Sequence, residues 1–195
     1  GPFQGGGFDQ FNSIHERLIE AWAEAANRTL GRTDTIYFTT MRDTPEDEMT
    51  IAYLRDTAIQ AKLPTDWIAV EQLGWNARQR AFLDLQDRPI ATVFKLYPWE
   101  WMLREAFGMN LLAGRTRWIE PPWKMILSNK AILTVLWDLF PDSEYLLPAS
   151  FQPMGGTGSF VAKPIFGREG ANISIVNQGQ VIAQSGGYYD GMTFV

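Results

Sequence analysis

Thr35-Ile36-Tyr37-Phe38-Thr39-Thr40, followed closely by Thr44-Pro45-Glu46-Asp47-Glu48, is the stretch that decides the fold class. Its first part is short, β-branched and aromatic, which predicts a buried strand. Its second part predicts a helix start, with threonine as N-cap, proline at the first helical position and acids in the first turn. That helix is expected to run to about Lys62, ahead of Pro64. A strand leading directly into a helix is the repeating unit of an α/β layer.

The flanking segments extend the pattern. From about Asp9 to Leu30, apolar residues Phe11, Ile14, Leu18, Trp22 and Ala25 recur at three- and four-residue steps, predicting one helix with a single apolar face. Trp67-Ile68-Ala69-Val70 reads as a second strand closed by Gly74. Phe82 to Leu85 and Ile90 to Leu96 flank the turn Gln86-Asp87-Arg88-Pro89 and suggest a hairpin or an irregular strand pair. Pro98 to Met109 reads as an aromatic-rich helix. Strands and helices thus alternate to about residue 116, which favours a sheet with parallel strands.

Beyond that point the texture changes. Trp123 to Phe140 is apolar almost all round, predicting a buried helical segment interrupted by Ser128-Asn129, a fresh N-cap, and ended by Pro141. After Leu146, Phe160 to Ile165, Ile173 to Val176, Val181 to Ser185 and Thr193 onward read as strands with glycine turns, including Asn177-Gln178-Gly179-Gln180. The expected organisation is an α/β region over 1–116 and a second region over 117–195, a buried helix plus an antiparallel sheet. The overall class is mixed α/β.

Composition narrows the function. The 195 residues carry a formal net charge of −5, which argues against a nucleic-acid partner. There is no cysteine, so disulfides, thiolate metal sites and cysteine nucleophiles are excluded. His15 is the one histidine, which argues against a histidine metal cluster or a Ser-His-Asp site; among polar neighbours it reads as a surface residue. No apolar run approaches the ~20 residues of a membrane helix, and no signal-peptide pattern opens the chain, so the expectation is a cytoplasmic protein without a membrane partner. The missing initiator Met and the strand-like end Met192 to Val195 suggest a piece of a longer protein, and the leading Gly-Pro also fits a protease-cleavage scar.

Two lysines stand out as candidates for chemistry. Lys130 opens the apolar stretch Asn129-Lys130-Ala131-Ile132-Leu133. If Asn129 caps the helix, this cation sits against the positive helix end, where an anion would be favoured. Taken alone, a lysine snorkelling to water is the stronger reading. Lys163 lies in the apolar strand Phe160-Val161-Ala162-Lys163-Pro164-Ile165, and Pro164 marks an edge or an end. It could simply face solvent. The turn Gly167-Arg168-Glu169-Gly170-Ala171 that follows could offer its N–H groups to an anion, or be an ordinary hairpin loop. It has neither P-loop spacing nor a following helix. Arg168 could contact phosphate or a developing negative charge, or pair with Glu169 at the surface. Glu46, Asp47 and Glu48 could attract a cationic substrate, although their helix-start role already explains them.

Taken together, Glu120-Pro121-Pro122-Trp123, Asn129 to Leu133, Leu136-Trp137-Asp138-Leu139-Phe140-Pro141, Tyr145-Leu146-Leu147 and Ala162 to Ile173 resemble the glutathionylspermidine synthetase family of ATP-grasp amide ligases. The order of these blocks and the 33-residue gap between the lysines also fit. Asp9-Gln10-Phe11-Asn12, Leu73-Gly74-Trp75 and Lys95 to Trp101 extend the resemblance more loosely through the first half. Glu169 looks more like members without an attached amidase domain.

This resemblance implies a pre-ATP-grasp-like α/β layer over 1–116, then part of an ATP-grasp domain with an antiparallel lobe over 117–195, truncated at its C-terminus. It implies ATP between two lobes, Lys130 and Lys163 on its phosphates, and the turn Gly167, Arg168, Glu169, Gly170 and Ala171 folded over them. A carboxylate would be phosphorylated and the acyl phosphate attacked by an amine, giving a C–N bond. A peptide carboxylate and a polyamine-like amine are the implied partners, with Glu46 and Asp47 near the peptide and polyamine site. ATP and Mg²⁺ are the implied cofactors. The magnesium ligands and an arginine for the acyl phosphate are expected upstream, and the adenine hinge downstream of Val195, so no metal ligand is expected here and the isolated piece should be inactive. Leu96 stands where the family has a substrate-contacting threonine, so the peptide can differ from glutathione. The competing expectation is a non-catalytic nucleotide- or peptide-binding relative on the same scaffold.

Overall fold

The computed structural model describes residues 13–30, 34–152 and 158–187. Asp9 to Asn12 and the strand expected from Thr193 lie outside the described residues. Helix α1 spans Ile14–Ala25 and runs into a π-helical turn, Ala26–Leu30. Strand β1 is Ile36–Thr39, and α2 is Pro45–Gln60 with Pro45 in its first turn. Thr44 does not cap α2 with its side chain; its hydroxyl donates to Met41 O at 3.0 Å, while the Glu48 carboxylate accepts the Asp43 N–H at 3.1 Å. The strand expected at Trp67 to Val70 is instead β2, Thr65–Trp67, followed by a 3-10 turn at Val70–Gln72.

Strands β3 (Gly74–Asn76) and β4 (Ala81–Leu83) form an antiparallel pair. Of the hairpin or irregular pair expected from Phe82 to Leu85 and Ile90 to Leu96, the irregular pair forms, with Ile90 N–H donating to Phe82 O at 2.8 Å and Asp84 N–H to Arg88 O at 3.0 Å, ahead of β5, Thr92–Lys95. Strand β5 itself pairs in parallel with β1, placing Thr39 opposite Lys95, and a single bridge joins Leu83 to Pro89. The expected helix from Pro98 to Met109 is broken into α3 (Trp99–Met102) and α4 (Gly108–Ala113). A side chain at Gly108 would meet Leu103 O at 2.4 Å, so the backbone turns closely there. Strand β6, Arg117–Ile119, completes a parallel sheet of order β2-β1-β5-β6.

All four β1 residues are buried, because both faces of this sheet are covered. On one face Ile36, Phe38 and Phe94 meet α1 and α2. Trp22, Phe38 and Phe94 pack with ring centroids 5.4–5.8 Å apart, and Trp22 Nε1 donates to the buried Thr57 hydroxyl at 3.0 Å. On the other face Trp118 meets Phe82 and Trp99 edge-on, and Tyr37 reaches Asp84. His15 is not a bare surface residue: it is half-buried and bridges the two helices, within 3.2 Å of Tyr53 Oη and of Gln60 Oε1.

The chain divides into two compact units, 1–122 and 123–195. A 3-10 turn over Pro122–Ile126 spans the boundary, and α5, Ile132–Leu139, follows in the second unit. The buried helix expected from Trp123 to Phe140 is not found. Trp123 is 62 % and Leu139 65 % exposed, and Thr134 is the one buried residue of α5. Apolar composition identified a segment that shuns water without saying what covers it. Strands β7 (Ser159–Ala162), β8 (Ser174–Asn177) and β9 (Gln180–Gln184) form an antiparallel sheet in sequence order, with β7 at an edge as Pro164 implied. Gln178 and Gly179 both have positive φ, 48° and 79°, the conformation of a tight hairpin turn. No helix among the described residues is long and apolar enough to cross a membrane.

Candidate functional site

The second unit brings one lysine onto the glycine turn. Lys130 lies just before α5 rather than in its first turn, because Asn129 Oδ1 accepts the Ala131 N–H at 2.8 Å and the helix begins at Ile132. From there the Lys130 N–H donates to Ile165 O at 2.8 Å, and its ammonium donates to Gly167 O. Lys130 is thereby joined to the turn itself.

The turn is built in two steps. Gly167 N–H donates to Pro164 O at 3.0 Å, and a Cβ at Gly167 would lie 3.0–3.3 Å from the Pro164 ring, so this buried position favours glycine. Ala171 N–H then closes on Arg168 O at 2.9 Å, with Glu169 and Gly170 both at positive φ, 51° and 75°. Arg168, Glu169 and Gly170 are exposed. The far end of the turn is tied to β9: the Ser185 hydroxyl accepts the Ile173 N–H at 2.9 Å and donates to Gly170 O. Nothing in the sequence singled out Ser185, since a serine at a strand end is common and its partners are 12 and 15 residues away.

Half-buried Lys163 lines a cavity of about 620 Å³ within the same unit. The other walls are mainly apolar, among them Leu133, Leu146, Pro148, Phe151 and Phe160. That volume falls in the range of small-molecule sites, about 300–1,000 Å³. Lys130 is not among the cavity's lining residues.

The first unit holds a second polar cluster at the C-terminal edge of its parallel sheet. Lys95 is buried, donates to Tyr97 O at 3.0 Å, lies 4.6 Å from the Trp99 ring centroid and 4.0 Å from Glu120 Oε1. Tyr97 donates to Glu105 at 2.7 Å; burial first, and then this carboxylate, push its phenol well above the usual tyrosine range. The Thr39 hydroxyl and the Trp99 indole N–H, both buried, have no hydrogen-bond partner among the described residues. Glu46 and Asp47 lie in the first turn of α2, in this unit. Among the described residues no group of three or more His, Asp or Glu could hold a metal ion.

Residues 4–195 match the family described as Glutathionylspermidine synthase preATP-grasp, so the chain belongs to the glutathionylspermidine synthase family. It is 43% identical over 169 residues to a Haemophilus influenzae protein provisionally named an acid–amine ligase, covering 85% of this chain and 42% of that protein. It is 29% identical over 203 residues to the bifunctional glutathionylspermidine synthetase/amidase of Escherichia coli, covering 90% of this chain and 31% of the enzyme. Trypanothione synthetase of Crithidia fasciculata is 26% identical over 207 residues, covering 91% of this chain and 30% of that enzyme. The chain therefore spans less than half the length of these relatives. Mixed α/β architecture, with a parallel sheet followed by an antiparallel lobe, agrees with this family.

Proposed function

We propose that this chain is part of an ATP-dependent carboxylate–amine ligase, and that its second unit contributes to the nucleotide site. The observation that carries this is Lys163 on the wall of a largely apolar cavity, at the end of the strand that feeds the turn 167–171. Apolar walls suit the flat faces of a purine, and a lysine at their edge suits its phosphates. The cavity and cation therefore fit ATP. The α/β region expected over 1–116 extends through β6 to about residue 122 and serves as a pre-ATP-grasp-like layer, and the remainder serves as part of the ATP-grasp domain.

In this reading a substrate carboxylate oxygen bonds to the γ-phosphorus of ATP, and ADP leaves. The nitrogen of an amine then bonds to the acyl carbon, inorganic phosphate leaves and the nitrogen loses a proton. Phosphoryl transfer depends mainly on positioning and charge neutralisation. Lys163 supplies positive charge, and the N–H groups of Arg168, Glu169 and Gly170, between the two amides that close the turn, lie beside it in sequence. Exposed Arg168 is the candidate contact for the transferred phosphoryl group. The described residues do not fit a magnesium site. Glu46 and Asp47 are the candidate contacts for a cationic amine such as a polyamine. Leu96 stands where the resemblance has a substrate-contacting threonine, so a short peptide other than glutathione is a fitting carboxylate.

The test is ATP consumption by the full-length protein against pairs of peptide carboxylates and polyamines, followed by mass spectrometry of the product. ADP release dependent on both partners, with an amide formed, is the expected outcome. Nucleotide binding without turnover by any pair would replace this reading with the non-catalytic alternative.

A further inference from the structure

We propose that Lys130 and Ser185 form a two-point clasp that positions the turn 167–171, so that Lys130 acts first as a positioning residue for the turn. Four hydrogen bonds carry the proposal. Lys130 contributes two: its N–H to Ile165 O at 2.8 Å, and its ammonium to Gly167 O. Ser185 contributes the other two, accepting from Ile173 N–H at 2.9 Å and donating to Gly170 O. The clasped carbonyls, Gly167 and Gly170, bracket the exposed residues Arg168 and Glu169.

The need for a clasp follows from the backbone. Glu169 holds positive φ (51°), which is costly for a long side chain and persists where surrounding contacts enforce it. The turn's internal bonds, Gly167 N–H to Pro164 O and Ala171 N–H to Arg168 O, close each half without fixing either half to the rest of the unit. Lys130 ties the first half to the start of α5, and Ser185 ties the second to the chain just after β9, beside the backbone bonds Asn172 N–H to Gly186 O at 3.2 Å and Ser185 N–H to Ile173 O at 2.9 Å. A charged donor makes the stronger tie. The role of the positioned turn rests on the nucleotide reading above; the clasp itself does not.

Hydrogen exchange of the full-length protein without nucleotide tests the clasp. In Lys130→Met, amides of 167–171 are expected to exchange at least tenfold faster, while the β8–β9 hairpin is unchanged. Lys130→Arg, which keeps charge and donor, should restore most of the protection. Ser185→Ala should accelerate exchange at 170–173. If Lys130→Met also loosens the hairpin, Lys130→Gln is read in the same way. Wild-type exchange at 167–171 in Lys130→Met, or in Lys130→Gln where it is used, would overturn the proposal, because a lysine serving only phosphate leaves the nucleotide-free turn unmoved. Separate titration of wild type with ATP reports on the nucleotide reading, so failure of one is distinguishable from failure of the other.

Discussion

Tyr37 on β1 donates its phenolic hydrogen to the buried Asp84 carboxylate at 2.7 Å, tying the parallel sheet to the turn after β4. The carboxylate also accepts N–H groups of Gln86 and Arg88, at 2.9 and 2.8 Å, and the Arg88 guanidinium at 2.7 Å. Burial alone would raise the Asp84 pKa, but these hydrogen bonds outweigh it and hold it at about 2. A depressed carboxylate stabilises the fold above its unfolded pKa, about 3.9, and that contribution is lost as pH falls toward 2. Asp84→Asn should therefore destabilise the protein above pH 4, with the gap to wild type closing between pH 4 and 2 in urea unfolding. A gap independent of pH would show that the charge is not what matters.

The alkaline side has the opposite sign. Burial, then the bond to Asp84, push the Tyr37 pKa up to about 12. A raised phenol stabilises the fold below its unfolded value near 10, and the contribution is lost as pH rises from 10 through 12. Tyr37→Phe should remove that part of the alkaline loss, seen as a flatter melting-temperature profile above pH 10.

Phe38 is fully buried between Trp22 and Phe94. Phe38→Ala deletes a ring from the centre of the core and should cost about 3–5 kcal/mol. Guanidinium unfolding followed by tryptophan fluorescence measures it. A loss below about 1 kcal/mol would mean that this core can collapse around the gap.

Thr39 is buried at 0 % exposure and its hydroxyl has no partner among the described residues. Valine keeps its shape and removes the unsatisfied group. Thr39→Val should leave the melting temperature unchanged or raise it by a few degrees. A clear fall would reveal a partner for the hydroxyl.

Local chemistry was legible in the sequence and long-range partnership was not. Pro45 and the acids after it announced α2, and Gly179 announced the β8–β9 hairpin, because each signal acts on the backbone beside it. The Ile90 to Leu96 run was recognisable as strand, but its main partner β1 lies more than 50 residues upstream, and the local pattern carried only the irregular contact with Phe82 to Leu85. Trp123 to Phe140 was read as buried because composition reports affinity for water and not what covers a surface. At the candidate site the two lysines and the glycine turn were visible as residue types. The bond from Lys130 to Gly167 spans 37 residues, and Ser185 carries no local signal, so the clasp could not be read in advance.

Lys163 offers the sharpest test of the nucleotide site, because it lines the cavity and does not hold the turn in the way Lys130 does. Methionine preserves the apolar stem and much of the volume while removing the ammonium. A charge-assisted contact to phosphate is worth roughly 1.5–3 kcal/mol, or about 10- to 150-fold in affinity. Lys163→Met in the full-length protein should therefore bind ATP at least tenfold more weakly by calorimetry. Its melting temperature should stay within a few degrees of wild type, since half-buried Lys163 sits at the end of an edge strand. Binding of adenosine, which lacks phosphates, should change little. Equal ATP affinity in wild type and Lys163→Met would remove this lysine from the phosphate site and the cavity from the nucleotide reading.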